Sequence, residues 1–301
     1  MEILFLGTGG SVPTPRRNTM AIAIRHMAEM LLLDCGEGTQ RQFMRSEFSY
    51  MKLDRVFISH LHGDHFLGLP GLVQSMNFSG RERPLEIYGP RGIGDVVTTV
   101  TTLGHFELGF PIFWRELVPG DVVECPGYDV RAVGAQHISN SLGYVFKEHP
   151  RRGRFDRAKA EMLGVQVGPM FSTLQEGGTV EVDGRKVSPE MVLGPSRPGL
   201  IVAYSGDSLP TDEFVDAARG CDIMIHEATV ESSLEEKAAI YGHSTAAQAA
   251  QVALRAGAKK LFLVHISGRY DDAGPLLEEA KAIFRESYLP EDLALIEVKK
   301  E

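Results

Sequence analysis

The segment His60-Leu61-His62-Gly63-Asp64-His65 constrains this chain more than any other, because it packs four potential metal ligands into six residues. It follows the apolar run Val56-Phe57-Ile58 and precedes a stretch rich in Gly and Leu. That order predicts a strand, a ligand-bearing loop and then a helix. In an extended loop His60 and His62 project to the same side. Asp64 and His65 enter from the following turn, where Gly63 permits backbone geometry that other residues resist. Imidazole nitrogen combined with carboxylate oxygen suits zinc or a similar divalent ion. Lone histidines on surface loops are common, but this spacing of ligands is not.

The 301 residues suffice for one large domain or two small ones, and an apolar fraction of 43% supports a packed core. No apolar run approaches the roughly 20 residues of a membrane span, and the N-terminus lacks the basic region of a signal peptide. A soluble cytoplasmic protein with no membrane association is expected. Cys35, Cys125 and Cys221 lie far apart and read as reduced thiols rather than ligands. The net charge of -9 argues, taken alone, against a nucleic-acid partner. The basic residues are unevenly spread, however: Lys147, Arg151, Arg152, Arg154, Arg157 and Lys159 face only Glu148 and Asp156 in that stretch. Bound dications would add further positive charge.

Strands are expected at 2–7, in a hairpin over 20–25 and 30–33, and at 55–58 and 85–88, with helices over 40–48, 69–78 and 93–103. The chain is β-rich between 112 and 135. Further strands at 200–204, 222–225 and 261–264 run into Ser205-Gly206-Asp207, His226-Glu227-Ala228-Thr229 and His265. Helices are expected at 232–240 and, capped by Ser244, at 245–256. This mixture predicts a layered α/β sandwich, with ligands gathered beyond the C-terminal ends of strands. The region from 146 to 199 breaks the rhythm with its basic run, a short helix at 156–163, Gly168-Pro169, a hairpin at Asp183-Gly184 and Gly194-Pro195. It reads as a mobile arm, or else as an inert surface insertion.

His137, Asp207 and His265 stand at expected strand ends and join the cluster. If Asp207 bridges two ions, one takes His60, His62, His137 and Asp207, and the other takes Asp64, His65, Asp207 and His265. Such a site suits a substrate that gains negative charge in its transition state. In phosphodiester hydrolysis a metal-bridging hydroxide would attack phosphorus, Asp64 would accept its proton, and a protonated His243 would serve the leaving oxygen. A β-lactam or thioester would be served by the same metals, so this core alone does not choose.

The segment from His60 to His65 resembles the metallo-β-lactamase superfamily signature. Phe5-Leu6-Gly7-Thr8-Gly9, Asp34-Cys35-Gly36-Glu37-Gly38-Thr39-Gln40, Leu67-Gly68-Leu69-Pro70-Gly71-Leu72, His226-Glu227-Ala228-Thr229 and Gly242-His243-Ser244-Thr245 are similar to the ribonuclease Z branch. The resemblance runs from residue 3 to about residue 268. It implies a single domain over 1–301 with an αββα sandwich, two Zn2+ per chain with Mn2+ as another possible occupant, and a homodimer. The implied activity is endonucleolytic removal of the 3′ trailer from precursor tRNA, leaving a tRNA 3′-hydroxyl and a 5′-phosphate on the trailer. It also implies Asp64 as proton acceptor, His243 as the leaving-group histidine, and Glu227 as the carboxylate that orients it. Residues 147–198 match the position of a tRNA-gripping arm, with Lys147, Arg151, Arg152, Arg154, Gly168 and Pro169 as its contacts.

A general phosphodiesterase acting on small esters needs the same metals but not the basic arm. A di-iron oxidoreductase on this fold would put a carboxylate at His62 and carry a flavin-binding segment. A non-catalytic RNA-binding protein would have lost ligands. Trp114 and the phenylalanines read as core, and Arg16, Arg17 and Asn18 as an exposed polar turn or a phosphate contact.

Overall fold

The computed structural model describes residues 1–105 and 107–299. The chain divides into a larger unit, Met1–Lys147 with Ile201–Glu301, and a smaller one, Glu148–Leu200.

The larger unit holds two seven-stranded sheets. In spatial order the first runs Leu295–Glu297, Glu2–Gly7, Ala21–His26, Glu29–Leu33, Arg55–Phe57, Leu85–Gly89 and Ile112–Glu116. The second runs Ser287–Tyr288, Leu261–Val264, Ile223–Glu227, Ile201–Tyr204, Leu142–Glu148, Tyr128–Gly134 and Val122–Cys125. The central strands are apolar on both faces because both faces are covered. Leu4, Leu6, Ala23 and Leu32 pack beneath Phe43, Leu69, Leu72 and Val73 of the flanking helices. The alternate residues face the other sheet: Phe5 meets Phe262 with ring centroids 5.4 Å apart, and Phe57 meets Tyr144 at 5.3 Å. On the far side, Ala203, Met224 and Leu263 lie under Ala249, Ala250, Ala253 and Leu276. Helix, sheet, sheet, helix is the αββα order that the sequence predicts.

Several local expectations are corrected. The helix Ala246–Ala256 is capped by Thr245, whose side chain and that of Gln248 form a reciprocal capping box. Ser244 instead donates its hydroxyl to the Ser208 carbonyl at 2.6 Å, tying the helix start to the loop after Asp207. The first helix stops at Met44, because Ser46 accepts from the Phe48 amide and donates to the Phe43 carbonyl, an alternative to helical bonding. The helix expected from 232 begins as a 3-10 turn and becomes α-helical at Glu235–Ile240. Trp114 and Phe113 are not core: they sit on the edge strand Ile112–Glu116 and are 50% and 60% exposed. Arg17 and Asn18 are part-buried rather than a free turn, since the Asn18 amide donates to Asp292 at 2.6 Å and Arg17 to the Pro290 carbonyl at 3.0 Å.

The smaller unit has its own core of Ala160, Val165, Phe171, Leu174, Val187 and Val192. Its helices are Arg157–Met162, capped by Asp156, then Pro169–Gln175 and Pro189–Val192. Its hairpin turns at Asp183 and Gly184, both at positive φ of 48° and 76°, which the twist of a tight hairpin requires. Arg151 pairs with Glu148, and Arg152 donates to the Gln175 carbonyl at 2.9 Å. Arg154 and Lys159 are exposed and form no ion pair among the described residues.

Candidate metal centre

Each potential ligand follows the end of a strand. The strand Arg55–Phe57 leads to His60, His62, Asp64 and His65; Tyr128–Gly134 leads to His137; Ile201–Tyr204 leads to Asp207; and Leu261–Val264 ends directly at His265. Glu227 closes the strand Ile223–Glu227, and His243 lies on the turn before the Ala246–Ala256 helix. The two sheets thus present their edges to one point.

All seven expected ligands meet there. One oxygen of Asp207 lies 3.1 Å from His265 Nε2, 3.3 Å from His65 Nε2, 3.7 Å from His60 Nε2 and 3.9 Å from His137 Nε2. Asp64 Oδ2 is 3.3 Å from His265 Nε2 and 3.4 Å from His65 Nε2. His62 Nδ1 faces His137 Nε2 at 3.1 Å. Donor atoms of His60, His62 and His137, of His60, His65 and Asp207, and of Asp64, His65 and His265 fall within 4.8 Å of one another.

Three buried atoms in this cluster, His60 Nε2, His65 Nε2 and Asp207 Oδ1, have no hydrogen-bond partner. Leaving such atoms unmade costs about 1–3 kcal/mol each. Bound metal would satisfy all three. The residues therefore fit a metal centre.

Outer contacts turn the rings inward. His65 Nδ1 pairs with Asp34 Oδ2 at 2.7 Å, His137 Nδ1 with the Gly242 carbonyl at 3.1 Å, and His265 Nδ1 with Thr229 Oγ1 at 2.8 Å. In each case the opposite nitrogen is left for the centre, as in other carboxylate- or carbonyl-oriented ligand histidines. Asp34 also accepts from Ser59 N at 2.6 Å, Ser59 Oγ at 2.8 Å and Tyr204 OH at 2.5 Å. Asp34 and His265 hold left-handed φ values of 57° and 58°, backbone strain of a kind found at functional sites. Ser11 donates its amide to Asp64 Oδ2 at 2.7 Å. His243 Nδ1 meets Glu227 Oε1 at 3.0 Å, and Glu227 is held by the Ser208 amide at 2.8 Å and Thr229 Oγ1 at 2.7 Å.

Asp34, Ser59, Thr229 and Ser11 were not foreseen as parts of the site. Asp34 carried a signal, since a carboxylate directly after the buried strand Glu29–Leu33 has to be paired. Thr229 lies in the His226-Glu227-Ala228-Thr229 motif, whereas Ser59 and Ser11 act through short-range geometry that no pattern encodes. Lys147 is exposed in the larger unit, whereas Arg151, Arg152, Arg154, Gly168 and Pro169 belong to the smaller one, which contributes no donor to this cluster.

The electrostatics match a cation site. Burial, together with the neighbouring imidazoles, holds His60 well below its ordinary pKa, so it stays neutral. Burial opposes ionisation of Asp207, but the surrounding His265 and His65 rings outweigh it and hold the carboxyl well below the usual range. Asp64 is lowered likewise by bonds from His265 and His65 against its burial. Burial also disfavours charge on His243, but the bond to Glu227 prevails and pushes it up to about 9.

A family profile described as Anti-Pycsar protein Apyc1 matches residues 1–103. A Ribonuclease Z of Methanosarcina acetivorans is 48% identical over 99% of this chain and 98% of its own, and one of Methanothermobacter thermautotrophicus is 47% identical over 99% and 97%. Human tRNase Z, short form, superimposes with a TM-score of 0.74 at 29% identity, covering 100% of both chains. The metallo-β-lactamase fold protein YhfI from Bacillus subtilis shares the fold at a TM-score of 0.71 and 18% identity over 98% of each chain. Near-half identity sustained along the whole length extends far beyond the ligand motif. The chain belongs to the ribonuclease Z family, on the metallo-β-lactamase fold.

Proposed function

We propose that this protein is a two-zinc endoribonuclease that removes the 3′ trailer from precursor tRNA, leaving a 3′-hydroxyl on the tRNA and a 5′-phosphate on the trailer. One observation carries the reading: the seven converging donors with three orphaned buried atoms, found in a chain nearly half identical to ribonucleases Z over its whole length. His60, His62, His137 and Asp207 would hold one ion, and Asp64, His65, Asp207 and His265 the other. When bound, the ions supply Lewis acidity and lower the pKa of water.

The chain's own residues do the rest. Asp64, fixed by the Ser11 amide, accepts the proton of the attacking water. His243 keeps a proton through neutral pH because Glu227 stabilises its charge. With Nδ1 engaged by Glu227, Nε2 is the atom that protonates the departing 3′-oxygen. Glu227 is a positioning residue, since it acts through the ring. Arg151, Arg152, Arg154, Gly168 and Pro169 of the smaller unit, together with Lys147 just before it, grip the tRNA body, and the enzyme works as a cytoplasmic homodimer. These last assignments rest on family likeness. Among the described residues no helix is long and apolar enough to cross a membrane.

The test is cleavage of an end-labelled precursor tRNA, mapped to the nucleotide, beside Asp64→Ala. A single metal-dependent cut at the trailer junction, absent in the variant, is expected. Hydrolysis of a small phosphodiester without any cut in the precursor would replace this reading with that of a small-ester phosphodiesterase.

A further inference from the structure

A cleft of about 390 Å³ opens beside Asp64, His243 and His265. Its wall also includes Val12, Leu67 and Glu37, none of which has a place in the chemistry above. Val12 and Leu67 are 60% and 54% exposed. Scattered exposed apolar side chains need no explanation. These two, however, line the same small cleft as the ion-binding residues.

Glu37 is the odder member. Its carbonyl oxygen accepts from Asn18 Nδ2 at 2.8 Å and from Thr19 Oγ1 at 3.3 Å, which pins its peptide. Its carboxylate is exposed and makes no hydrogen bond or ion pair among the described residues. Beside the scissile bond of a polyanion, a free carboxylate is repulsive unless it accepts a hydrogen bond. A phosphodiester has no proton to give it. A nucleobase offers two apolar faces and, in adenine, cytosine and guanine, an amino group at its edge.

We propose that Val12, Leu67 and Glu37 form a pocket for one nucleobase flanking the scissile bond, with Glu37 accepting from its exocyclic amino group. This deepens the ribonuclease reading and rests on it. The volume sits at the lower end of the roughly 300–1,000 Å³ of small-ligand pockets, room for one nucleotide and not for a duplex. The walls are tied to the reacting centre: Ser11, next to Val12, bonds Asp64, and the Leu67 amide donates to the Gly63 carbonyl at 2.9 Å. Seating the base would therefore set which phosphate reaches the ions. The pocket would make cleavage position depend on one base as well as on the tRNA body.

The test uses precursor tRNAs with adenine at either nucleotide flanking the cut, compared with purine lacking the amino group and with a 2′-deoxy nucleotide. The wild-type enzyme should lose about tenfold or more in kcat/KM when the amino group is removed at one of the two positions, the size of a hydrogen bond to a charged group. Glu37→Ala should no longer distinguish the two bases. Glu37→Gln, which keeps an acceptor oxygen, should retain part of the preference, and Leu67→Ser should weaken both substrates together. Indifference of the wild type to the amino group at both positions would overturn the proposal. So would an undiminished preference in Glu37→Ala, or a Glu37 effect that follows the 2′-hydroxyl instead. Failure of the wild type to cut the unmodified precursor would instead overturn the ribonuclease reading itself. Melting temperature and metal content of each variant separate recognition from folding.

Discussion

Asp34→Asn changes one atom in a fully buried network and should weaken metal binding by a predictable amount. Asn tolerates the left-handed backbone that Asp34 adopts and has the same shape, so the fold should survive. Its oxygen can keep the Ser59 amide bond now made by Asp34 Oδ1. The other position, Oδ2, now accepts from Ser59 Oγ and Tyr204 OH and faces His65 Nδ1. An NH2 group there meets donors with a donor. The hydroxyls can rotate to accept, but His65 Nδ1 can do so only by moving its proton to Nε2, the nitrogen that faces the centre. Loss of an outer carboxylate of this kind costs about 10–100-fold in metal affinity, or roughly 1.4–2.7 kcal/mol. A hydrogen bond to a charged group is independently worth about 1.5–3 kcal/mol. The two figures agree. Zinc competition against a chromogenic chelator measures the affinity, and nitrogen NMR reports the His65 tautomer. Tyr204→Phe leaves the carboxylate and removes one of its donors, so it should cost less. Unchanged affinity in a well-folded Asp34→Asn protein would refute the argument.

Burial lowers the His243 pKa, but the hydrogen bond to Glu227 outweighs it and pushes the pKa up to about 9 from the ordinary 6.5. Its stabilising contribution is then complete below 6.5 and is lost as pH rises through about 9. Glu227→Gln should lower that pKa, and an unmoved NMR titration would show that Glu227 is not its cause. A Cβ at Gly10 would lie 2.5 Å from the His265 ring, so Gly10→Ala should displace a ligand and reduce metal occupancy, read by elemental analysis. Lys147 pairs with Ile201 across adjacent antiparallel strands, so an Asn-Gly turn can replace residues 149–199. The shortened protein should keep small-phosphodiester hydrolysis and lose precursor cleavage by a large factor; equal retention of both would exclude the arm as an RNA grip.

The convergence of the candidate ligands was legible because their residue types have few other uses at strand ends. His60, His62 and His65 sit beyond an apolar run, and burying so many imidazoles is costly without a partner. The sandwich was legible because strands such as Glu2–Gly7 and Leu261–Val264 are apolar at nearly every position, which only two covered faces explain. The oriented rings were not legible. Whether Asp34 meets His65 or Thr229 meets His265 depends on loop geometry after the strands, where a residue's type says little about its partner. The capping error at Ser244 has the same origin: Ser and Thr are equivalent as caps, and only the waiting Ser208 carbonyl assigns them different tasks. The C-terminal strand Leu295–Glu297 escaped notice because only Ile296 of its three residues is part-buried.

The ligands come from residues 60 to 265 and from both sheets. An ion held by Asp64 and His265 would close a loop of about 200 residues, and one held by His60 and Asp207 a loop of about 150, so either would be a removable crosslink as well as a reagent. The unfolded chain cannot assemble such a set, so an ion present at a thousandfold excess over its Kd would add about 4 kcal/mol to stability by mass action. Chelation would then loosen the seam between the sheets together with the active site. A cell short of the metal would lose the protein itself, through unfolding and turnover, along with its activity.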